Sequence, residues 1–198
     1  MSCMPLPPEL QRLVDEIDDA DRRGNQIAAS CTDEQFYWCP REGQGWSVAQ
    51  CLDHLGAMND VYVKAIRSGL ERARQRGSKP RGPVKPGYLG GKFVRSLEPP
   101  VKHRSKAPRQ GIPAVKKERQ IILDQYRAAH ERVRELVADA AAIDANRTRF
   151  RNPFIPLIRF SIATGLFVIA AHDRRHLWQA EQVRQAPGFP GRLSTVRG

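Results

Sequence analysis

Cysteine is scarce in this chain of 198 residues, and Cys3, Cys31, Cys39 and Cys51 include no CxxC pair. A disulfide-stapled framework is therefore excluded, and the four read as reduced thiols. Long apolar runs are missing too. The longest, Phe160 to Ala171, spans 12 residues and is broken by Ser161, Thr164 and Gly165, whereas a helix crossing a bilayer needs about 20 apolar residues. The opening Met1-Ser-Cys-Met-Pro-Leu-Pro-Pro has no basic stretch followed by an apolar run. It does not read as a signal peptide, so a cytoplasmic location is the expectation. No apolar–polar alternation of strand length and no internal repeat is found.

Acidic residues are nearly absent from one stretch. Residues 71–119 hold 15 lysines and arginines but only three carboxylates, Glu71, Glu98 and Glu118, while the rest of the chain has 18 of each sign. The whole net charge of +12 thus belongs to one internal segment. That segment also lacks aromatic interleaving beyond Tyr88 and Phe93, which gives base stacking little support.

What the chain does have is helical periodicity, in four places. The first stripe follows Pro7-Pro8 and runs Leu6, Leu10, Leu13, Val14, Ile17, Ile27, Cys31. The second opens at Trp46-Ser47-Val48-Ala49-Gln50, where Ser47 stands as N-cap, Gln50 at the capping-box position, and Trp46 where it can staple onto Cys51. Its apolar face continues through Leu52, Leu55, Tyr62 and Ile66 to about Gly69. The third starts around Pro113 and passes through Ile122, Tyr126, Ala129, Val133, Leu136, Val137 and Ala140. The fourth follows Pro153 and Pro156 and runs from about Ser161 through Leu166, Ile169, His172, His176 and Ala180, stopping before Pro187.

One domain spanning residues 1–198 is the default for this length. The connections set its architecture. About 15 residues join helices one and two, and helices three and four, but residues 69–112, rich in Gly, Pro, Lys and Arg, separate helices two and three. A loop of that length serves parallel neighbours, so the expected fold is all-α, a four-helix bundle with one long crossover between helices 2 and 3. The crossover is expected to hold little regular structure beyond one short helix.

His172 and His176 bracket His-Asp-Arg-Arg-His on the fourth helix, and their spacing puts both on one face, one turn apart. His54 lies on the second helix at the margin of its stripe, with Cys51 and Met58 on adjacent turns. Facing helices of a bundle can build a shared core metal site, and three protein ligands leave an open position of catalytic type. His103 and His130, in the basic segment and on the third helix, read as structural or solvated. Asp53 and Asp173 adjoin ligands in sequence but point about 100° away around the helix, which favours a solvated or packing role. Trp46 and Trp178 suit packing better than a substrate wall, and Cys51 a small core position better than a fourth ligand.

The stretch Trp46-Ser-Val-Ala-Gln-Cys-Leu-Asp-His54-Leu resembles the second-helix motif of DinB-like proteins, and His172-Asp-Arg-Arg-His176-Leu-Trp-Gln179 resembles their fourth-helix motif. The resemblance implies an up-down-down-up four-helix bundle. It also implies that His54, His172 and His176 form a metal triad, commonly for zinc or nickel. Relatives include thiol transferases that use a low-molecular-weight thiol and a maleylpyruvate isomerase, and the catalytic residues themselves are not implied. A metal-dependent transferase or hydrolase acting on a small-molecule substrate is the first functional expectation. The second, of a different class, is a non-enzymatic module gripping nucleic acid or another polyanion through residues 71–119. The basic segment departs from the family pattern, and a solvated insertion, or an arm packing on a second copy in a homodimer, accounts for it better than nucleic acid.

Overall fold

The computed structural model describes residues 5–41, 43–101, 112–113, 117–155 and 157–191. Among them the elements are α1 (Pro8–Ala29), α2 (Asp33–Tyr37), α3 (Val48–Gln75), α4 (Gly87–Leu97), α5 (Arg119–Ala140), β1 (Arg149–Arg151), β2 (Arg159–Ser161) and α6 (Ile162–Gln185). The four long helices α1, α3, α5 and α6 form the four-helix bundle. Each begins where the local chemistry says it should. Pro8 occupies the first turn of α1, where a missing N–H costs nothing. On α3, Ser47 accepts from the Gln50 amide while the Gln50 side chain accepts from Ser47 N–H, the full capping box. Ser161 caps α6 by accepting from Thr164 N–H.

Cross-helix contacts reveal helix direction. Asp60, Arg67 and Arg74 of α3 pair with Arg132, Glu135 and Asp139 of α5 in the same chain order, so these two helices are parallel. Glu16 and Arg23 of α1 meet Arg174 and Glu181 of α6, again in step. Between α1 and α5 the order is reversed: Asp18 meets Arg134, whereas Asn25 meets Arg127. The bundle is therefore up-down-down-up. Gly24 lets α1 and α5 close on one another, since a Cβ there would lie 2.6 Å from the Tyr126 hydroxyl.

The apolar interior divides into two clusters. One is centred on Leu13, Ile66, Val133 and Ile169, the other on Phe36, Leu52, Tyr126 and Leu177. On three of the long helices a buried polar residue lies between the two sets, Asp173 and His176 on α6, Asn59 on α3 and His130 on α5, and part-buried Asp21 of α1 reaches His130 from beside Ala20. Burial of apolar surface holds each half together, and the polar layer between them contains the site.

The crossover carries α4, which lies along α6. Val94 is buried, Phe93 packs on Phe160 at 5.2 Å between ring centroids, and Glu98 grips the Arg174 guanidinium through both oxygens. Gly90 is required for this docking, because a Cβ would come within 2.4 Å of Thr164 Oγ1.

Four local features differ from the sequence reading. The second helix, expected to end at about Gly69, runs on to Gln75. The helix expected from about Pro113 starts at Arg119 instead. Its guanidinium donates to the Cys31 and Ala28 carbonyls and to Asp33, which ties that start to the end of α1. The sequence shows no alternation of strand length, yet β1 and β2 form an antiparallel hairpin with Phe150 opposite Phe160; strands of three residues are too short to show a period. The short helix α2 was not foreseen, although Thr32 and Gln35 form a second capping box.

Candidate metal centre

His54 sits in the second turn of α3, and His172 and His176 one turn apart on α6. Because α3 and α6 run antiparallel, the start of one faces the later turns of the other. The three imidazoles meet there: one possible ligand atom from each lies within 4.8 Å of the other two. His54 Nε2 and His172 Nε2 are 3.3 Å apart, and the ring centroids are separated by 5.1 Å for His54–His172 and 4.5 Å for the other two pairs. His54 and His176 are buried, and His172 keeps part of its surface exposed. Among the described residues this is the one group of three or more potential ligands brought together. Cys51, one turn from His54, is not part of it; it is fully buried and burial pushes its thiol up, so it is an inert core residue.

His172 and His176 are held neutral. Burial, the neighbouring histidines and the Arg175 charge, in that order, lower the His172 and His176 pKa values below the ordinary histidine range. Gln179 offsets only a little of this at His176. Neutral imidazole is the form that offers a lone pair to a metal. The donor set fits a divalent ion on two further grounds. Nitrogens about 2.0–2.1 Å from a tetrahedral centre lie roughly 3.3–3.4 Å apart, which is the spacing already present between His54 and His172. The buried Nδ1 of His176 also has no hydrogen-bond partner among the described residues, a costly arrangement for a polar atom serving packing alone.

Trp46 forms one wall. It packs on the cluster containing Cys51, as a staple should, but its indole also lies 4.8 Å from the His54 ring and stacks on His176 at 5.5 Å. No ring contact joins Trp178 to the histidines among the described residues.

A second constellation, not anticipated from the sequence, crosses the bundle beside the triad. Asn59 Nδ2 donates to Asp173 Oδ1 (3.1 Å), His130 Nε2 donates to Asp173 Oδ2 (3.2 Å), and His130 Nδ1 donates to Asp21 Oδ1 (2.7 Å). Arg134 also binds Asp21. Both ring nitrogens of His130 face carboxylates, and only the imidazolium has two N–H groups to offer. Burial alone would lower its pKa, but Asp173 and Asp21 raise it to about 9. His130 is thus structural and wholly buried, with one partner or neighbour from each of the other three long helices. Asp173 does turn away from the triad, as its position in the helix requires, but into the core rather than into solvent. Asp53 is likewise buried, and Lys117 Nζ neutralises it at 2.6 Å. A polar residue interrupting an apolar stripe was the available signal for Asn59 and His130. His103 lies outside the described residues.

Crossed-over middle helices and three converging histidines define a helical bundle with a candidate metal site between α3 and α6. The chain belongs to the DinB superfamily, whose profile matches residues 16–180. The solved structure of YfiT from Bacillus subtilis, described as a probable metal-dependent hydrolase with an unusual four-helix bundle topology, is similar in fold. The TM-score is 0.59 at 14% identity, over 93% of this chain and 91% of that one. No curated protein matches the chain by sequence. No helix among the described residues is long and apolar enough to cross a membrane.

Proposed function

We propose that His54, His172 and His176 hold one divalent metal ion, zinc or nickel, and that the chain is a cytoplasmic metal-dependent enzyme of hydrolase or thiol S-transferase type. The observation that carries this reading is the convergence of three imidazoles from two antiparallel helices. When bound, such an ion supplies Lewis-acid activation, lowering the pKa of a water or low-molecular-weight thiol toward neutrality. YfiT, of similar fold, is described as a probable metal-dependent hydrolase, which supports the hydrolytic branch.

The chain's own residues do the rest. His54 and His176 present their rings from buried positions, so their orientation is fixed by packing rather than by solvent, and this reduces the cost of organising ligands. Trp46 covers the His54 and His176 rings on one side and leaves the partly exposed His172 side for a substrate to approach. Arg175 places positive charge close enough to act on His172 and His176, so a nucleophile or oxyanion developing there meets favourable potential.

Elemental analysis of protein purified without a histidine tag tests the reading, followed by a mass-spectrometric screen of electrophiles with glutathione-like thiols and of ester and amide substrates. Near one equivalent of zinc or nickel per chain, with turnover abolished by chelation, is expected. A folded protein that retains no metal after incubation with either ion overturns it.

A further inference from the structure

A cavity of about 650 Å³ opens at the far end of the bundle from the histidines. Its α3 wall begins at Gly69, 15 residues beyond His54, or roughly 22 Å at 1.5 Å per residue. Arg72, Arg76, Lys79 and Arg81 line it from the end of α3 and the following turn. Arg147, Arg149 and Arg159 face them from the approach to β1 and from the hairpin. Asp144 is the one carboxylate in the lining, and its Oδ1 accepts from the Arg147 backbone N–H.

Seven cations around one hollow are unusual in this molecule because its other arginines are largely paired. Arg67, Arg74, Arg132, Arg134 and Arg174 all bind carboxylates across helices. Arg74 makes the contrast sharp: it binds Asp139, whereas Arg72 and Arg76, flanking it and four residues apart on another face, form no ion pair among the described residues. Neither do the other five cations of the cavity. Helix C-termini attract cations, but each carries only roughly half an elementary charge of opposite sign, which cannot balance seven. All seven are exposed, so water and salt screen much of their repulsion, and a multivalent anion entering the hollow would meet favourable potential from both walls.

We propose that this cavity is a second ligand site, for a compact oligophosphate group. Its size is that of small-molecule pockets, about 300–1,000 Å³. Guanidinium forks bind phosphate oxygens through paired donors, and walls on opposite sides suit an anion carrying charge along a short chain rather than a single ion. Glycine and small residues make up most of the remaining lining, with no aromatic ring for a base to stack on. This favours phosphate chemistry alone over single-stranded nucleic acid. The Gly77 and Ser78 amides are already bonded to carbonyls of α3, so recognition falls to the side chains.

Calorimetric titration of the full chain with sodium triphosphate tests the proposal, with ATP and a short DNA duplex in parallel. Saturable one-site triphosphate binding that weakens with added salt is expected. R76E/R147E should weaken it at least about tenfold, while K92E/R95E, which changes net charge equally on exposed α4 positions, should leave it unchanged. If R76E/R147E fails to fold by circular dichroism, R76Q/R147Q decides, with a smaller loss expected. Equal affinity for triphosphate and ATP supports a free oligophosphate ligand, and tighter ATP binding supports a nucleotide; either outcome supports the site. No saturable binding, equal loss in both charge-reversal variants, or duplex binding that triphosphate does not displace would each overturn it.

Discussion

Two histidine centres share one polar layer of this bundle and are held in opposite charge states. At the triad, burial and like neighbours keep His172 and His176 neutral. At His130 burial pushes the same way, yet two carboxylates reverse it and hold the ring charged to about 9. Burial lowers both: at the triad it is the largest cause, and only at His130 do neighbouring carboxylates overcome it. The two centres also touch in sequence. Asp173 follows His172 directly, and the 100° turn between successive helical residues sends the carboxylate to His130 and the imidazole to the triad. Asp53 and His54 repeat the device on α3, with Lys117 as the countercharge. A carboxylate left facing the triad would raise the pKa of its rings and favour their charged form; Asp173 and Asp53 instead face His130 and Lys117.

The largest expected effect breaks the metal side of this comparison. His176→Ala or His172→Ala should abolish metal retention and turnover, read by elemental analysis and product formation, while circular dichroism shows an intact bundle. A variant retaining a full equivalent of metal would sink the triad. Next comes the charged side. Asp173→Asn leaves the buried His130 with one carboxylate and should cost about 3 kcal/mol in denaturant unfolding, with the His130 pKa falling by NMR titration. Unchanged stability would mean that the charge on His130 contributes nothing.

The pH dependence sharpens the contrast further. The folded chain keeps a proton on His130 up to about 9, which an unfolded histidine releases near 6.5. This stabilisation is complete below about pH 6.5 and is lost as pH rises through 9, by on the order of 3 kcal/mol. Denaturation series across that window should show the decline in the wild type and a flatter profile in Asp173→Asn. The smallest effect is at Lys117→Met, whose pair with Asp53 is partly open to solvent; about 1 kcal/mol is expected. A loss as large as that of Asp173→Asn would show that the two carboxylates are not shielded to different depths.

The bundle was legible because its stripes are long. Leu10, Leu13 and Ile17, or Ile122, Tyr126 and Val133, repeat often enough for a period to emerge, and the long gap before α5 betrayed the parallel pair. His54, His172 and His176 were legible from helical spacing and from the motifs around them. Asp21, Asn59 and His130 were not, because each looks like a lone polar residue until three other helices supply its partners. The hairpin and α2 escaped for the opposite reason: three and five residues are too few to repeat anything, and only the Thr32–Gln35 cap marked α2.

The bridge Asn59–Asp173–His130–Asp21 takes one side chain from each long helix. Apolar clusters alone tolerate a helix sliding along its axis, since one leucine replaces another after a turn. A slip of one turn, about 5.4 Å, would part every link of this bridge and strand its charges in the core. The bridge thus acts as an indexing pin: it sets the axial register of α3 against α6. Because His172 adjoins one member and His54 lies five residues from another, that register also sets the gap between the two rings.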